Sequence, residues 1–335
     1  MPPILETMNF SVTAIVVSYN RADLLRECLD GLLAQTRRPD RVIVIDNAST
    51  DTAVRVAQRH PLHPEVSVLD HNVGGAGGFC AGMALALGNT QTAADEPPRS
   101  DLGYLWLMDD DAVPTANALQ ELLAAADEAH ELNAVWPTIL GSKAVWVDGR
   151  EHLMNRPRAR TWPALGHRQL HRSTGAFQVR SLSFVSCLIS VRAVRAAHAL
   201  PYAAFFLWND DYEFTTRLLK RGTGYYVPAS QVIHKTKVFG SSDADPGARF
   251  LYEVRNKCWI MRCSRSNFTP AEYVELLLKT ARRWVLTFVR SQDRSVTLDC
   301  LNRGLREGLR SRPADNAEVL AGNREVVAAV ERVES

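Results

Sequence analysis

Three carboxylates stand side by side at Asp109–Asp111, directly after the apolar run YLWLM. Adjacent aspartates repel and aspartate is a poor strand former, so a positive partner is expected. In extended backbone Asp109 and Asp111 point the same way, ~7 Å apart. Two carboxylates at that spacing can share one hard divalent cation, which keeps open positions for substrate phosphates. The plainer alternative is an acidic turn before a helix, favoured by the helix dipole. His234 ends a strand-like run. With the two aspartates it makes a set suited to Mn2+ or Mg2+, imidazole leaning towards Mn2+, although a lone histidine can equally be a satisfied polar side chain.

A second acidic cluster, FFLWNDDYEF at 205–214, brings Asp210, Asp211 and Glu213 to the start of a predicted helix. Either the helix N-terminus favours the charge, or the cluster supplies a general base, since close acids raise one another's pKa towards neutrality. Trp208 beside it can stack on a sugar ring or fill a core. Asp46 ends the second predicted strand, where an acid binds ribose hydroxyls or closes an Asx-turn in DNAST. NVGGAGGF (72–79) has four glycines in five positions. It reads as a glycine loop that admits a ligand to the backbone, or as a hinge. In the G-x-G-x-x-G register Gly75 leads to Cys80, and no P-loop lysine follows, so neither nucleotide fingerprint is present.

The elements that must position these residues follow from hydrophobic periodicity. VTAIVVS (12–18) and RVIVID (41–46) read as strands buried on both faces. VSVLD (66–70) and YLWLM (104–108) add two more. RADLLRECLDGLL carries Leu25, Leu29, Leu32 and Leu33 on one helical face, with Asn20 as its expected cap. Residues 116–129 give another helix, striped by Leu119, Leu122, Leu123 and Ala126. The alternation predicts an α/β fold with a doubly wound, mostly parallel sheet and helices on both faces. Asp46, Asn72 and Asp109–Asp111 then fall at the carboxyl ends of strands, where such sheets bind ligands. Residues 141–180 read as a loop or β-hairpin insert, 181–190 as a strand, and 210–222 as a helix stopped by Gly222. GYYVP and VIHKT read as short strands. The chain is predicted helical from about 248, with a tail from about 311 polar enough to fray.

A chain of 335 residues, 46% hydrophobic, can bury a sizeable core. Net charge is +2, yet residues 255–312 hold 13 Lys/Arg against 5 Asp/Glu, so an acidic-leaning body meets a basic C-terminal part. The six cysteines form no C-x-x-C pair and read as free thiols of a reducing cytoplasm. MPPILETMNF lacks the features of a signal peptide, and no run reaches the ~18 apolar residues needed to span a bilayer. YVELLLKTARRWVLTFVRS (273–291) mixes Leu, Trp and Phe with Lys279, Arg282, Arg283 and Arg290. A basic amphipathic helix of this kind suits an anionic lipid surface, and packing on the body or a homo-oligomer contact is the alternative. No nucleic-acid recognition module is visible.

In combination these segments resemble a GT-A glycosyltransferase of family 2 over roughly residues 11–260. IVVSYNRADLLRECLDGLLAQTRRPDRVIVIDNASTD resembles its nucleotide-binding half, MDDDA its D-x-D metal motif and WNDDYEF its base-carrying segment. NVGGAGGF, MDDD, WNDDYEF, VIHK and YEVRN, in that order, resemble actinobacterial galactofuranosyltransferases of the galactan-initiating type, with rhamnosyltransferases as neighbours. The resemblance implies a catalytic domain over 1–248, its nucleotide-binding half 1–115 and acceptor-binding half 116–248, and a helical basic region over 249–335. It implies metal ligands Asp109, Asp111 and His234, and Asp211 as base. Ser18, Tyr19, Arg21 and Asp46 would hold the uridine of a UDP-sugar, with Asn72, Gly74, Gly75 and Asp110 completing the donor side. Trp208, Asp210 and Glu213 would face the acceptor, a glycan on a polyprenyl diphosphate at the inner face of the plasma membrane. The implied reaction is an inverting single displacement. Two rivals remain at this point. LWLMDDDAV also satisfies the hhhhDxDxV pattern of haloacid dehalogenase-like phosphatases, with Asp109 as nucleophile, and a non-catalytic sugar-nucleotide binder would need no base at all.

Overall fold

The structure, a computed structural model, describes residues 10–88, 103–161, 170–171, 173, 175–239 and 245–335. The reading of residues 1–9, and of 162–169, 172 and 174 within the expected insert, lies outside these.

The first half alternates strand and helix: β1 Ser11–Ser18, α1 Ala22–Leu33, β2 Arg41–Asp46, α2 Ala53–Arg59, β3 Glu65–Val68, α3 Gly74–Gly88, β4 Gly103–Asp109, β5 Ala112–Pro114 and α4 Ala118–Asn133. The second half contributes β6 Ile139–Val145, β7 Arg158–Ala159, β8 Phe177–Ser181, β9 Cys187–Ser190, α5 Val191–Ala197, α6 Asp210–Leu218 and β10 Gly224–His234. Helices α7 Phe250–Cys263, α8 Pro270–Arg290, α9 Arg294–Arg310, α10 Asn316–Val319 and α11 Arg324–Glu334 follow.

The sheet runs β3-β2-β1-β4-β9-β6-β10-β8-β7, with β5 beside β10. The pairs β3-β2, β2-β1 and β1-β4 are parallel, as continuous Val/Ile/Leu runs buried on both faces require. β9 enters antiparallel between β4 and β6, and β10 is again parallel to β6. One face is covered by α3 and α11, the other by α1, α2 and α4, each over its own apolar core. The expected doubly wound, mostly parallel α/β sheet is therefore present.

Several local expectations are corrected. Residues 139–145, whose last five fall in the expected 141–180 insert, are the sheet strand β6. GSKAV is too short and too mixed to announce a strand whose two neighbours supply its burial. Only β8 and β9 bracket the 181–190 segment, with a short 3-10 turn over Phe184–Ser186 between them. GYYVP and VIHKT form one strand, bulged between Val227 and Gln231 around Pro228, which cannot donate to a ladder. Asn20 does not cap α1: its Oδ1 accepts from Thr50 N at 2.7 Å, and Asp51 accepts from Ala22 N at 3.0 Å in its place. The tail beyond 311 is folded. Val326, Ala329, Val330 and Val333 of α11 are buried in the same core as Ile15 and Ile45, because they form one helical stripe seated on α3. All six cysteines are free, five of them buried.

The glycine-rich stretch is a helix, not a loop. α3 begins at Gly74, and the glycines let it lie directly on the sheet. A Cβ at Gly78 would stand 2.5 Å from Val17 Cγ1, and one at Gly82 2.4 Å from Ile15 Cγ2. The glycines that sequence reasoning assigned to a ligand thus mostly serve helix–strand approach.

Candidate active site

β1, β2 and β4 end together at one rim of the sheet. Register places Ser18 opposite Asp46 and Val17 opposite Asp109, so the first acid of the triple carboxylate leaves the sheet next to the β1 turn. The three acids then separate. Asp110 turns back to β1, where its Oδ2 accepts from the Ser18 hydroxyl at 3.0 Å and from Tyr19 N at 3.2 Å, and its Oδ1 from Arg21 Nη1 at 3.2 Å. Arg21 also reaches Asp111 Oδ2 at 2.8 Å. The positive partner expected from the repulsion of adjacent aspartates is therefore in part Arg21. Burial pushes Asp110 up to about 6 against the pull of Arg21. Burial also works to raise Asp111, but His234 and Arg21 outweigh it and hold that carboxyl below the ordinary range. Burial, Asp111 and Asp110 push Asp109 well up.

His234 ends β10 and joins this cluster. Its Nε2 lies 3.3 Å from Asp111 Oδ1, and its Nδ1 lies 2.9 Å from Asn155 Oδ1. Asn155 can only accept there, so the Nδ1 proton is committed, and Nε2 meets Asp111 Oδ1 either protonated, which holds that carboxyl down, or as the lone pair of the neutral ring. Asp111 Oδ1 is itself buried and has no aligned hydrogen bond. Two electron-pair donors facing each other at this distance are relieved by a bound cation or by a second imidazole proton. Among the described residues no three His, Cys, Asp or Glu side chains are already gathered as a metal cluster. The donor chemistry nevertheless fits a hard to borderline dication: carboxylates Asp109 and Asp111 and imidazole His234. Asn155 is a supporting residue that sequence reasoning missed. Asn155→Ala is expected to weaken Mn2+ binding about ten- to a hundred-fold by releasing the ring, read by titration of Mn2+ against the UDP-containing protein. An unchanged affinity removes Asn155 from this role.

Asp109 and His234 line a cavity of about 450 Å3 that is also lined by Trp208, Asn209, Asp210, Asp211 and Lys257. Asp210 and Asp211 open α6. Burial raises Asp210 to about 8 and Asp211 to about 6, the Asp211 charge adding to the rise at Asp210 and the Lys257 charge restraining Asp211. Burial thus raises both acids of the pair, Asp210 further than Asp211. Burial depresses Lys257 to about 8, and its ammonium sits 4.2 Å from the centre of the Tyr212 ring.

The segment leading into α6 is strained, with positive φ at Phe206 (62°), Trp208 (64°) and Asn209 (68°). Helix α7 holds it. Asn256 Nδ2 reaches the carbonyls of Phe205, Leu207 and Trp208 at 2.9, 3.0 and 2.8 Å. Arg255 donates to the carbonyls of Ala204 and Phe205, and Glu253 accepts from Asn209 Nδ2 at 2.8 Å. YEVRN is thus the clamp on the loop carrying the acids. Sequence reasoning registered the motif without giving it work, because residues some fifty positions apart in the chain show no partnership until they fold together.

The remaining expected site residues divide. Gly75 borders the cavity with open space above its Cα. Gly74 adopts φ +72°, and a Cβ there would stand 2.0 Å from Phe206 O, so it secures the strained loop rather than a ligand. Asn72 accepts from Gly74 N at 2.8 Å and shapes the entry to α3; it does not line the cavity. Asp46 Oδ2 closes the Asx-turn with Ser49 N at 2.8 Å, while its Oδ1 is buried and unpaired. Tyr19 and Arg21 are half exposed at the rim. Glu213 is corrected: it is 1% exposed and binds Ser264 Oγ, Asn267 Nδ2 and Arg217 inside the protein. At about 100° per residue a helix turns Glu213 to the side opposite Asp211.

A sheet rim bearing D-x-D carboxylates beside a helix that opens with paired acids defines a GT-A glycosyltransferase, and this chain belongs to glycosyl transferase family 2, whose family model matches residues 13–195. Galactofuranosyltransferase GlfT1 of Mycobacterium tuberculosis (strain ATCC 25618 / H37Rv) is 31% identical over 272 residues, covering 76% of this chain and 83% of that protein. GlfT1 of Mycolicibacterium smegmatis (strain ATCC 700084 / mc(2)155) is 29% identical over 218 residues, covering 63% and 66%. The fold also matches S. aureus TarS 1-349, with a TM-score of 0.58 and 17% identity over 97% of this chain and 90% of that one. The mannosyltransferase PcManGT from Pyrobaculum calidifontis, solved with GDP-Man and Mn2+, matches at a TM-score of 0.50 and 15% identity over 98% and 88%. Family membership removes the phosphatase rival, which would also place its aspartate after the first strand, whereas Asp109 ends the fourth. It equally removes the non-catalytic binder.

Proposed function

We propose that this glycosyltransferase moves galactofuranose from UDP-galactofuranose to a hydroxyl of a glycan carried on a polyprenyl diphosphate, with inversion, in cell-wall polysaccharide synthesis. What supports the donor is the identity with galactofuranosyltransferases over three-quarters of the chain; TarS, of the same fold, has been solved with UDP-GlcNAc. The observation that carries the chemistry is that Asp109, His234 and Asp211 line one cavity.

Asp109, Asp111 and His234 would hold Mn2+ or Mg2+, which when bound neutralises charge developing on the departing diphosphate. The chain's own residues do the rest. Ser18 and the Tyr19–Arg21 turn, braced by Asp110, with Asp46 beside them, form the nucleotide side. Asp211 accepts the proton of the acceptor hydroxyl as that oxygen bonds to the anomeric carbon. The bond from that carbon to the phosphate oxygen breaks on the opposite face, and UDP leaves with the electron pair. Asp210, the more strongly raised of the two, favours placing the charge on Asp211. Trp208 and Lys257 bound the acceptor side. We place the enzyme at the inner face of the plasma membrane; among the described residues no helix is long and apolar enough to cross a membrane.

The test is a donor screen of purified protein with UDP-galactofuranose and dTDP-rhamnose, with Mn2+ and with chelator. Release of UDP from UDP-galactofuranose that chelator abolishes is the expected result. Turnover of dTDP-rhamnose alone makes the enzyme a rhamnosyltransferase, and chelator-resistant turnover overturns the metal assignment.

A further inference from the structure

Next to the catalytic cavity lies a second one that the chemistry above does not use. It is a groove of about 500 Å3 between α7 and α8, and Arg249, Lys279, Arg282, Arg283 and Arg290 all line it. Two carboxylates share its wall. Asp245 accepts from Gln292 N at 2.7 Å and from Ser291 Oγ at 3.0 Å; Glu253 Oε2 accepts from Asn209, while its Oε1 is buried without a hydrogen bond, 3.7 Å from Arg283 Nε. Arg249 lies over the Trp208 ring, 5.4 Å from its centre. Among the described residues neither Arg282 nor Arg290 has a carboxylate within ion-pair distance, whereas Lys279 pairs with Glu275 at 2.5 Å and Arg283 with Glu253 at 3.7 Å. Helical spacing explains the alignment. Positions 279, 282, 283 and 290 project from one side of α8, while Val274, Leu277, Leu278, Val285 and Val289 are exposed on another.

The groove is continuous with the catalytic cavity, since Trp208, Glu253 and Arg283 border both. A molecule with its sugar against Asp211 would therefore lead its next group past Trp208 into a concentration of guanidinium groups. Guanidinium is the side chain best matched to phosphate oxygens, which it binds in a bidentate fork. An exposed apolar face on the same helix gives an attached lipid somewhere to go.

We propose that this groove is the acceptor's phosphate site: Arg282 and Arg290, with Arg249 and Lys279, bind the diphosphate ester that joins the acceptor sugar to its lipid. The proposal rests on the reading of this chain as a transferase acting on a diphosphate-linked acceptor, and it supplies the residues that read that diphosphate. It also explains why a family 2 catalytic body carries a basic α8 at this position: the charge recognises substrate as well as any surface.

Farnesyl diphosphate is the probe, titrated calorimetrically into full-length protein saturated with UDP and Mn2+ so that the donor site is filled. Saturable binding is expected. Arg282→Gln with Arg290→Gln, two exposed positions, should weaken it about a hundred-fold, roughly ten-fold per charge-assisted contact, and leave UDP affinity and Tm unchanged. The charge-conserving Arg282→Lys with Arg290→Lys should retain most of the affinity. Absence of saturable binding, or equal affinity in the neutral variant, overturns the proposal. Two further arms separate the sources of phosphate. Weaker binding of inorganic pyrophosphate than of farnesyl diphosphate supports a lipid-linked ester. Loss of binding to phosphatidylglycerol vesicles in the neutral variant, with farnesyl diphosphate affinity unchanged, overturns it in favour of headgroup contact. UDP affinity is measured in the same protein, so a failure of the donor reading is seen separately from a failure of the groove.

Discussion

Asp211→Asn is expected to cut sugar transfer by about 10²–10⁴-fold, the range that a positioned general base supplies, while UDP and Mn2+ still bind. The amide keeps the shape and can still accept from Tyr212 N, which lies 2.6 Å from Asp211 Oδ1 in the native site, so the start of α6 should hold. It cannot take a proton. The same residue sets the acid limb of the pH profile. A base works when deprotonated, and burial raises Asp211 to about 6, so kcat/KM should rise with pH up to that value and flatten above it. A bound dication in the cavity stabilises the carboxylate and moves the limb lower, never higher. Steady-state rates between about pH 5 and 8 check this. Retention of activity in Asp211→Asn assigns the base elsewhere.

The second large effect is expected at a residue that touches no substrate. Asn256→Ala removes the amide that holds the carbonyls of Phe205, Leu207 and Trp208. Those carbonyls belong to a segment with three positive-φ residues, each costing ~1–3 kcal/mol and kept in place only by its surroundings. Leaving buried carbonyls without a donor costs about 1–3 kcal/mol more. We expect stability to fall by about 3 kcal/mol, seen as a lower Tm, and kcat to fall about 10²-fold as Asp211 loses its aim. UDP affinity should stay within about two-fold, since Ser18, Asp46 and Asp110 are held by other contacts. A lower Tm with kcat unchanged makes Asn256 a packing residue only.

Groups whose spacing is local were legible before folding. Asp109 and Asp111 lie at i and i+2 after a buried strand, and Asp210 and Asp211 open a helix; both facts are short-range, and the cavity contains three of these four acids with Asp111 against His234. Period-2 and period-3.6 apolar patterns likewise mark β1, β2, β4, α1 and α4. Glu213 was misplaced although the same helical period that recommends Asp211 turns it inward. The glycines of α3 were misread because a missing side chain looks alike whether it admits a ligand or a neighbouring strand.

By itself, then, the chain determined the strands that carry the acids, the acids themselves and the family they belong to. Those follow from local geometry and from residue chemistry. Only the tertiary structure decided that Asp110 faces the turn after β1 while Asp111 faces His234. The same holds for Asn155 committing that imidazole's proton and for α7 clamping the strained loop under Asp211. It holds also for the opening of the groove of α8 into the cavity beside Asp211. Each of these joins residues roughly fifty to 120 positions apart; the rim contacts follow from the order of strands in the sheet, and those of α7 and α8 from the packing of the C-terminal helices, not from any pattern along the chain.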